Sequence, residues 1–163
     1  MKKNTNLLSA VQINAMPAKE ERHQFNEHAL RLTRMLGHAT GMEQLGVHLV
    51  RVPPGHETTQ HHSHEANEEF IFILEGRATA TIGDELSEVC AGDFMGFPRN
   101  SPAHSMVNDS EQDLVYLVAG ERNLPDVVHY PRIKRTMIKS DSTRSYTDWS
   151  DTHDLGPDPS GRH

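Results

Sequence analysis

Two short stretches of the chain are continuously apolar: residues 70–74 (FIFIL) and residues 114–119 (LVYLVA). Runs this short, bounded by turn residues and rich in aromatic and β-branched side chains, predict buried strands. Elsewhere the pattern alternates. Leu45, Val47 and Leu49 alternate with Gly46, His48 and Val50 until Pro53-Pro54-Gly55 ends the strand. Ala78, Ala80 and Ile82 alternate with Arg77, Thr79 and Thr81; Gly83-Asp84 then turns the chain and residues 85–90 return. Ala91-Gly92-Asp93, the break at Pro98 to Pro102, and Asp109-Ser110-Glu111 set off two further short strands, 94–97 and 103–108. Residues 25–36 fit a helix face (Phe25, Ala29, Leu32, Leu36) and also a strand parity. The turn-like GHATG at 37–41 favours the strand. Many short strands at regular spacing, with no convincing long helix, predict an all-β sandwich or barrel.

The ends read differently. Residues 1–24 are mixed and polar, broken at Met16-Pro17, and predict a flexible N-terminal arm. Residues 25–139 predict one barrel domain with its core at 45–120, in which 127–130 and 135–138 are edge strands or an extended arm. Residues 140–163 predict a polar C-terminal tail of irregular coil, although Tyr146 and Trp149 within it are aromatics that dock on the barrel or on a neighbouring subunit.

Composition adds exclusions. The 163 residues carry a net charge of −7 with no basic stripe, which argues against a nucleic-acid partner. One cysteine, Cys90, excludes an internal disulfide framework and fits a reducing compartment. No apolar run suits a signal peptide or a membrane span, so the expectation is a cytoplasmic protein with no membrane partner. Cys90 itself is expected to be a small buried apolar residue.

The candidate chemistry sits between Gly55 and Gly76. His62 and His64 are two apart, so on a strand their imidazoles leave the same face. Glu69 stands at the mouth of the buried strand 70–74, where a carboxylate must find a partner. Two imidazoles and a carboxylate suit a divalent first-row metal: Mn, Fe, Ni, Zn or Cu. Written as spacing, this stretch is G-x6-H-x-H-x4-E-x6-G on Gly55, His62, His64, Glu69 and Gly76. A second, G-x5-P-x-N-x3-H-x3-N, runs through Gly92, Pro98, Asn100, His104 and Asn108.

Together these resemble the paired motifs of the cupin family, small double-stranded β-helix (jelly-roll) barrels. The resemblance covers roughly residues 45–120. Each motif has one extra residue before its histidines, and Asn100 stands where the family usually has glycine; both differences fall on loops. The resemblance implies extra N-terminal strands around the barrel and one divalent metal per chain held by His62, His64, Glu69 and His104. His61 has the opposite strand parity to His62, and Glu68 competes with Glu69, whose spacing to Gly76 is the better match. Tyr116, His48 and His61 are candidates for proton transfer. Arg51, like His48 and Tyr116, lies on a strand that could point it inward to a ligand; Arg77 and Arg99, near turns, would suit an anionic substrate or are simply solvated. Phe70, Phe72 and Phe94 are expected in the core, and His38, His56 and His129 are given no role. The implied function is a metalloenzyme for a small oxygen-rich metabolite, of dioxygenase, isomerase, decarboxylase or lyase type. The alternative is a non-catalytic module that binds or senses a small molecule. A homodimer is expected, with residues 25–36 and 127–138 as the strands that add to a partner's sheet.

Overall fold

The computed structural model describes residues 6–153. Its helices are short: Ala10–Ala15 (α1) and Leu36–Ala39 (α2). The strands, in chain order, are Lys19–His23 (β1), Asn26–Arg34 (β2), Leu45–Val52 (β3), Ser63–His64 (β4), Glu69–Glu75 (β5), Arg77–Ile82 (β6) and Glu85–Cys90 (β7). They continue with Phe94–Phe97 (β8), His104–Val107 (β9), Leu114–Glu121 (β10), Asp126–Tyr130 (β11), Arg135–Lys139 (β12) and Arg144–Asp148 (β13). Every strand pairing is antiparallel, in three sheets ordered β1-β2-β3-β10-β5-β8, β7-β6-β9 and β13-β12-β11-β4. The all-β barrel expected from the pattern is therefore present. Among the described residues no helix is long and apolar enough to cross a membrane.

The main core lies between the six-stranded and three-stranded sheets. Val50, Val52, Ile71, Ile73, Leu114 and Tyr116 meet Ala78, Ala80, Val89 and Met106 there. Burying each of the larger of these side chains contributes roughly 1.5–3 kcal/mol. A second cluster, Val128, Tyr130 and Met137, sits on the four-stranded sheet. The β5–β6 corner depends on Gly76. Its φ of +82° suits glycine, and a Cβ there would stand 2.4 Å from the Asp113 carbonyl oxygen. Asn108, the last residue of the second motif, is fully buried yet satisfied: its amide donates to the carbonyls of Val52 and Gln112, both at 2.8 Å.

Several expectations need correction. The segment read as an N-terminal arm contains α1 and β1, and β1 pairs with β2 from Lys19 to His23. The turn-like residues 37–41 include the single helical turn α2. The tail read as coil contains β13 and a 3-10 turn at Trp149–Asp151; its remainder, 154–163, lies outside the described residues. Tyr146 does dock, edge-on against Phe25 (centroids 4.9 Å apart), and the Trp149 indole donates to Thr136 Oγ1. Phe94 is 63% exposed and Cys90 is also exposed, because both point outward from strands whose opposite face is the core. The strands proposed to join a partner's sheet are paired on both sides within the chain: β2 between β1 and β3, β11 between β12 and β4, and β12 between β11 and β13.

Candidate metal centre

The two motifs are brought together by backbone hydrogen bonds between their histidines. His62 N–H donates to the His104 carbonyl (3.1 Å) and His104 N–H to that of His62 (2.8 Å). Glu69 opens β5 beside them. One ring nitrogen from each of His62 and His104 and one Glu69 carboxylate oxygen lie within 4.8 Å of one another. The rings are braced by aromatics: Phe97 stacks on His104 with centroids 3.5 Å apart, and Tyr130 lies over His62 at 6.1 Å.

Hydrogen bonds fix which nitrogen each imidazole offers. His62 Nδ1 is 3.0 Å from the Gln60 carbonyl, which can only accept, so Nδ1 carries the proton and Nε2 keeps its lone pair. His64 follows the same logic. Its Nδ1 donates to Asp126 Oδ2 at 2.8 Å, a carboxylate–histidine pair of the kind that orients metal-binding imidazoles. His64 Nε2 is likewise left as a lone-pair donor, and the ring stands 5.1 Å from that of His62. His104 Nε2 is 3.1 Å from Glu69 Oε1 and donates to it, while its Nδ1 is buried without a partner. That hydrogen bond and metal ligation by the same two atoms are mutually exclusive.

The charges suit a cation. Burial works to raise the Glu69 carboxyl, yet the His104 hydrogen bond and the neighbouring imidazoles outweigh it and bring its pKa down to about 2. Burial, reinforced by His104, holds His62 well below the usual imidazole range, so it is neutral. Asp126 is fully buried; desolvation opposes its charge, but the His64 hydrogen bond prevails and its pKa falls to about 2. An ionised carboxylate beside the neutral His62, whose Nε2 lone pair is free, with further imidazoles at hand, is a donor set that fits a first-row divalent ion.

This cluster lines a cavity of about 820 Å³ that is also walled by Tyr116, His48, Arg31, Arg122 and the β12–β13 hairpin. Burial raises Tyr116 to about 12, so its hydroxyl stays protonated. Burial and Arg122 lower His48, so it stays neutral. His61 does not line the cavity. It is buried with Nδ1 on Ser105 Oγ (3.1 Å), and burial followed by Arg132 lowers its pKa to about 4. Glu68 is exposed. Arg51, Arg77 and Arg99 are tied in surface ion pairs to Asp113, Glu88 and Glu121. His129 pairs with Glu65, and His56 lies against the His28 carbonyl. Sequence reasoning missed Asp126, 62 positions from His64, and the cavity arginines Arg31 and Arg122; none of them belongs to a spacing pattern.

A barrel closed around a histidine-rich ligand cluster is the architecture of the cupins, and a family model described as a cupin domain matches residues 48–120. The chain belongs to the cupin superfamily. It is 35% identical to a protein from Acidithiobacillus ferrooxidans provisionally named a sugar phosphate isomerase. That match covers 94% of this chain and 98% of the other, with a TM-score of 0.91. A cupin-superfamily sugar phosphate isomerase from Silicibacter pomeroyi is 24% identical over 90% of this chain and 94% of that one, with a TM-score of 0.78, and shares the fold. No curated protein matches the sequence.

Proposed function

We propose that this cupin is a metal-dependent isomerase of a small sugar phosphate. The observation that carries the metal is the convergence of His62, Glu69 and His104 on the wall of a substrate-sized cavity. His64 lies outside that converging set, its ring 5.1 Å from that of His62, and is the fourth ligand of this reading, offering Nε2 while Asp126 holds its Nδ1. One divalent ion per chain, Mn, Fe, Ni, Zn or Cu, suits these donors. When bound, such an ion supplies Lewis-acid polarisation of a substrate oxygen.

The reaction class is supported by the name of the Acidithiobacillus relative, which is similar along almost the whole of both chains. Aldose–ketose isomerisation moves a proton between neighbouring carbons and another between their oxygens, so it needs a site that can give protons and limit access of water. Tyr116, protonated and lining the cavity, is placed to donate to a substrate oxygen. The β12–β13 hairpin, with residues 140–144 at the cavity, restricts water.

Elemental analysis combined with turnover tests this reading. Near-stoichiometric metal in the wild type, lost in both His62→Ala and His104→Ala, is expected, together with metal-dependent interconversion of aldose and ketose phosphates. Metal without turnover on any such pair would move the protein to the binding-module reading. Unchanged metal content in both variants would sink the ligand assignment.

We also propose a homodimer. The outer face of the large sheet carries a cross-strand apolar row, Leu49, Leu117, Phe72 and Phe94, that the chain itself does not bury fully. Light scattering should give twice the chain mass; a monomeric mass at micromolar concentration rejects the dimer.

A further inference from the structure

The cavity has a second chemically distinct region, across the sheet from the ligand cluster. Glu69 on β5 faces Gly120 on β10, which faces Gly46 on β3, in one cross-strand row. Two strand spacings, about 10 Å, separate its ends. Neither glycine puts a side chain on the floor, which stays open at Gly120 and at Gly46 is covered by side chains from elsewhere. A Cβ on Gly120 would stand 3.5 Å from Glu69 Oε2. A Cβ on Gly46 would stand 3.0 Å from Arg122 Nε and 3.3 Å from His48 Nε2, so the guanidinium and the imidazole occupy the space that a side chain at residue 46 would take.

Arg122 makes no ion pair with any described residue, although Glu21, Glu69 and Glu121 all line the same cavity. Arg31, on the opposite side of His48 along the sheet, is within 3.6 Å of Glu21 and also reaches the Tyr116 hydroxyl. His48 Nδ1 is buried without a partner, which leaves Nε2 as the nitrogen facing Arg122. Both arginines bear on His48 and help keep it neutral. An uncommitted guanidinium, a second guanidinium and a neutral imidazole on the wall of one cavity match an anion that accepts several hydrogen bonds.

We infer that Arg122, Arg31 and His48 form the subsite for the phosphoryl group of the substrate, with the sugar chain lying over Gly120 and its carbonyl end toward Glu69. This rests on the sugar phosphate reading and adds the direction in which the substrate lies. A guanidinium at this end neutralises the phosphoryl charge at a distance from the metal ligands, so the phosphate is not drawn onto the ion.

Calorimetric titration with inorganic phosphate, before and after dialysis against EDTA, tests the subsite. Wild-type protein should bind phosphate in both forms. Arg122→Gln should weaken binding about tenfold or more, the loss typical of a charge-assisted hydrogen bond. Gly46→Ala, which displaces Arg122 and keeps its charge, should weaken it as well. Arg77→Gln, a change at a surface arginine outside the cavity, should leave it unchanged. Melting temperatures without phosphate establish that each variant is folded. Three results overturn the subsite: no binding by wild type, equal binding by Arg122→Gln, or binding that disappears on chelation. The two readings fail separately. Arg122-dependent phosphate binding without isomerase turnover removes the enzyme and keeps the subsite. Turnover with an unaltered KM and phosphate affinity in Arg122→Gln does the reverse.

Discussion

At the scale of single residues, Asp126 decides how His64 presents itself. The carboxylate is fully buried and ionised, and its Oδ2 accepts from His64 Nδ1 at 2.8 Å and from Lys139 Nζ at 3.4 Å. Asp126→Asn keeps the shape but replaces an obligate acceptor with a group that can flip and donate, so the His64 tautomer is no longer fixed. Metal affinity is expected to drop about 10- to 100-fold, the usual penalty for losing such an orienting carboxylate. Competition against a chromogenic chelator measures this, and unchanged affinity would show that His64 is not a ligand. Asn100 teaches a different lesson at the same scale. It stands where the cupin pattern has glycine, and its φ is +58°, in the left-handed region that asparagine tolerates better than other non-glycine residues. The substitution preserves the backbone path to His104.

At the scale of elements, legibility followed how local the determinants were. The paired motifs and the apolar runs at β5 and β10 could be read directly, because spacing and buried-strand composition are properties of neighbouring residues. On β3 the alternation identified the strand. The interior, however, receives Gly46, His48, Val50 and Val52, while Val47 and Leu49 face outward. Alternation alone could not choose between two apolar faces. β1 was hidden because Lys19, Glu20, Glu21 and Arg22 have no apolar face at all; the strand exists through its hairpin with β2 and through Thr33 Oγ1 donating to Glu21. β11 to β13 were read weakly or not at all because their partners are distant in sequence: Asp126 with His64, and Tyr146 with Phe25. Asp126, Arg31 and Arg122 escaped for the same reason. These differences carry an expectation for dynamics. β10 is hydrogen-bonded on both sides in the centre of the large sheet, whereas β13 is an outer strand. Amide exchange should be slowest in β10 and β3 and faster by orders of magnitude in β13. Equal protection of β10 and β13 in hydrogen-exchange mass spectrometry would show that the small sheet unfolds only with the barrel.

At the scale of the whole molecule, buried histidines and carboxylates set the response to acid, and His61 and Asp126 show how. His61 has a folded pKa of about 4 against an ordinary 6.5, because burial disfavours its charged form. Between those values the unfolded chain takes up a proton that the folded chain refuses. Stability is therefore full above pH 6.5 and falls as the pH drops toward 4, by a total on the order of 3 kcal/mol. Asp126 acts in the same direction over the next interval. Its pKa is about 2 in the fold against 3.8 ordinarily, so its contribution is present above pH 3.8 and is lost as the pH falls through about 2. Histidines therefore govern mild acid, where His62 and His48 act in the same direction as His61, and carboxylates govern strong acid, where Glu69 acts with Asp126. Urea denaturation in EDTA, which keeps metal release out of the measurement, should show a midpoint that declines steadily from pH 6.5 to 4. His61→Gln, which retains a polar partner for Ser105 Oγ and has no charge to gain, should make that decline shallower, the share of His62 and His48 remaining, and leave the loss below pH 4 in place. A wild-type midpoint that stays level between pH 6.5 and 4 would mean that His61 gains solvent or an acidic partner on protonation, and that the loop carrying His61 and His62 can move without unfolding the barrel.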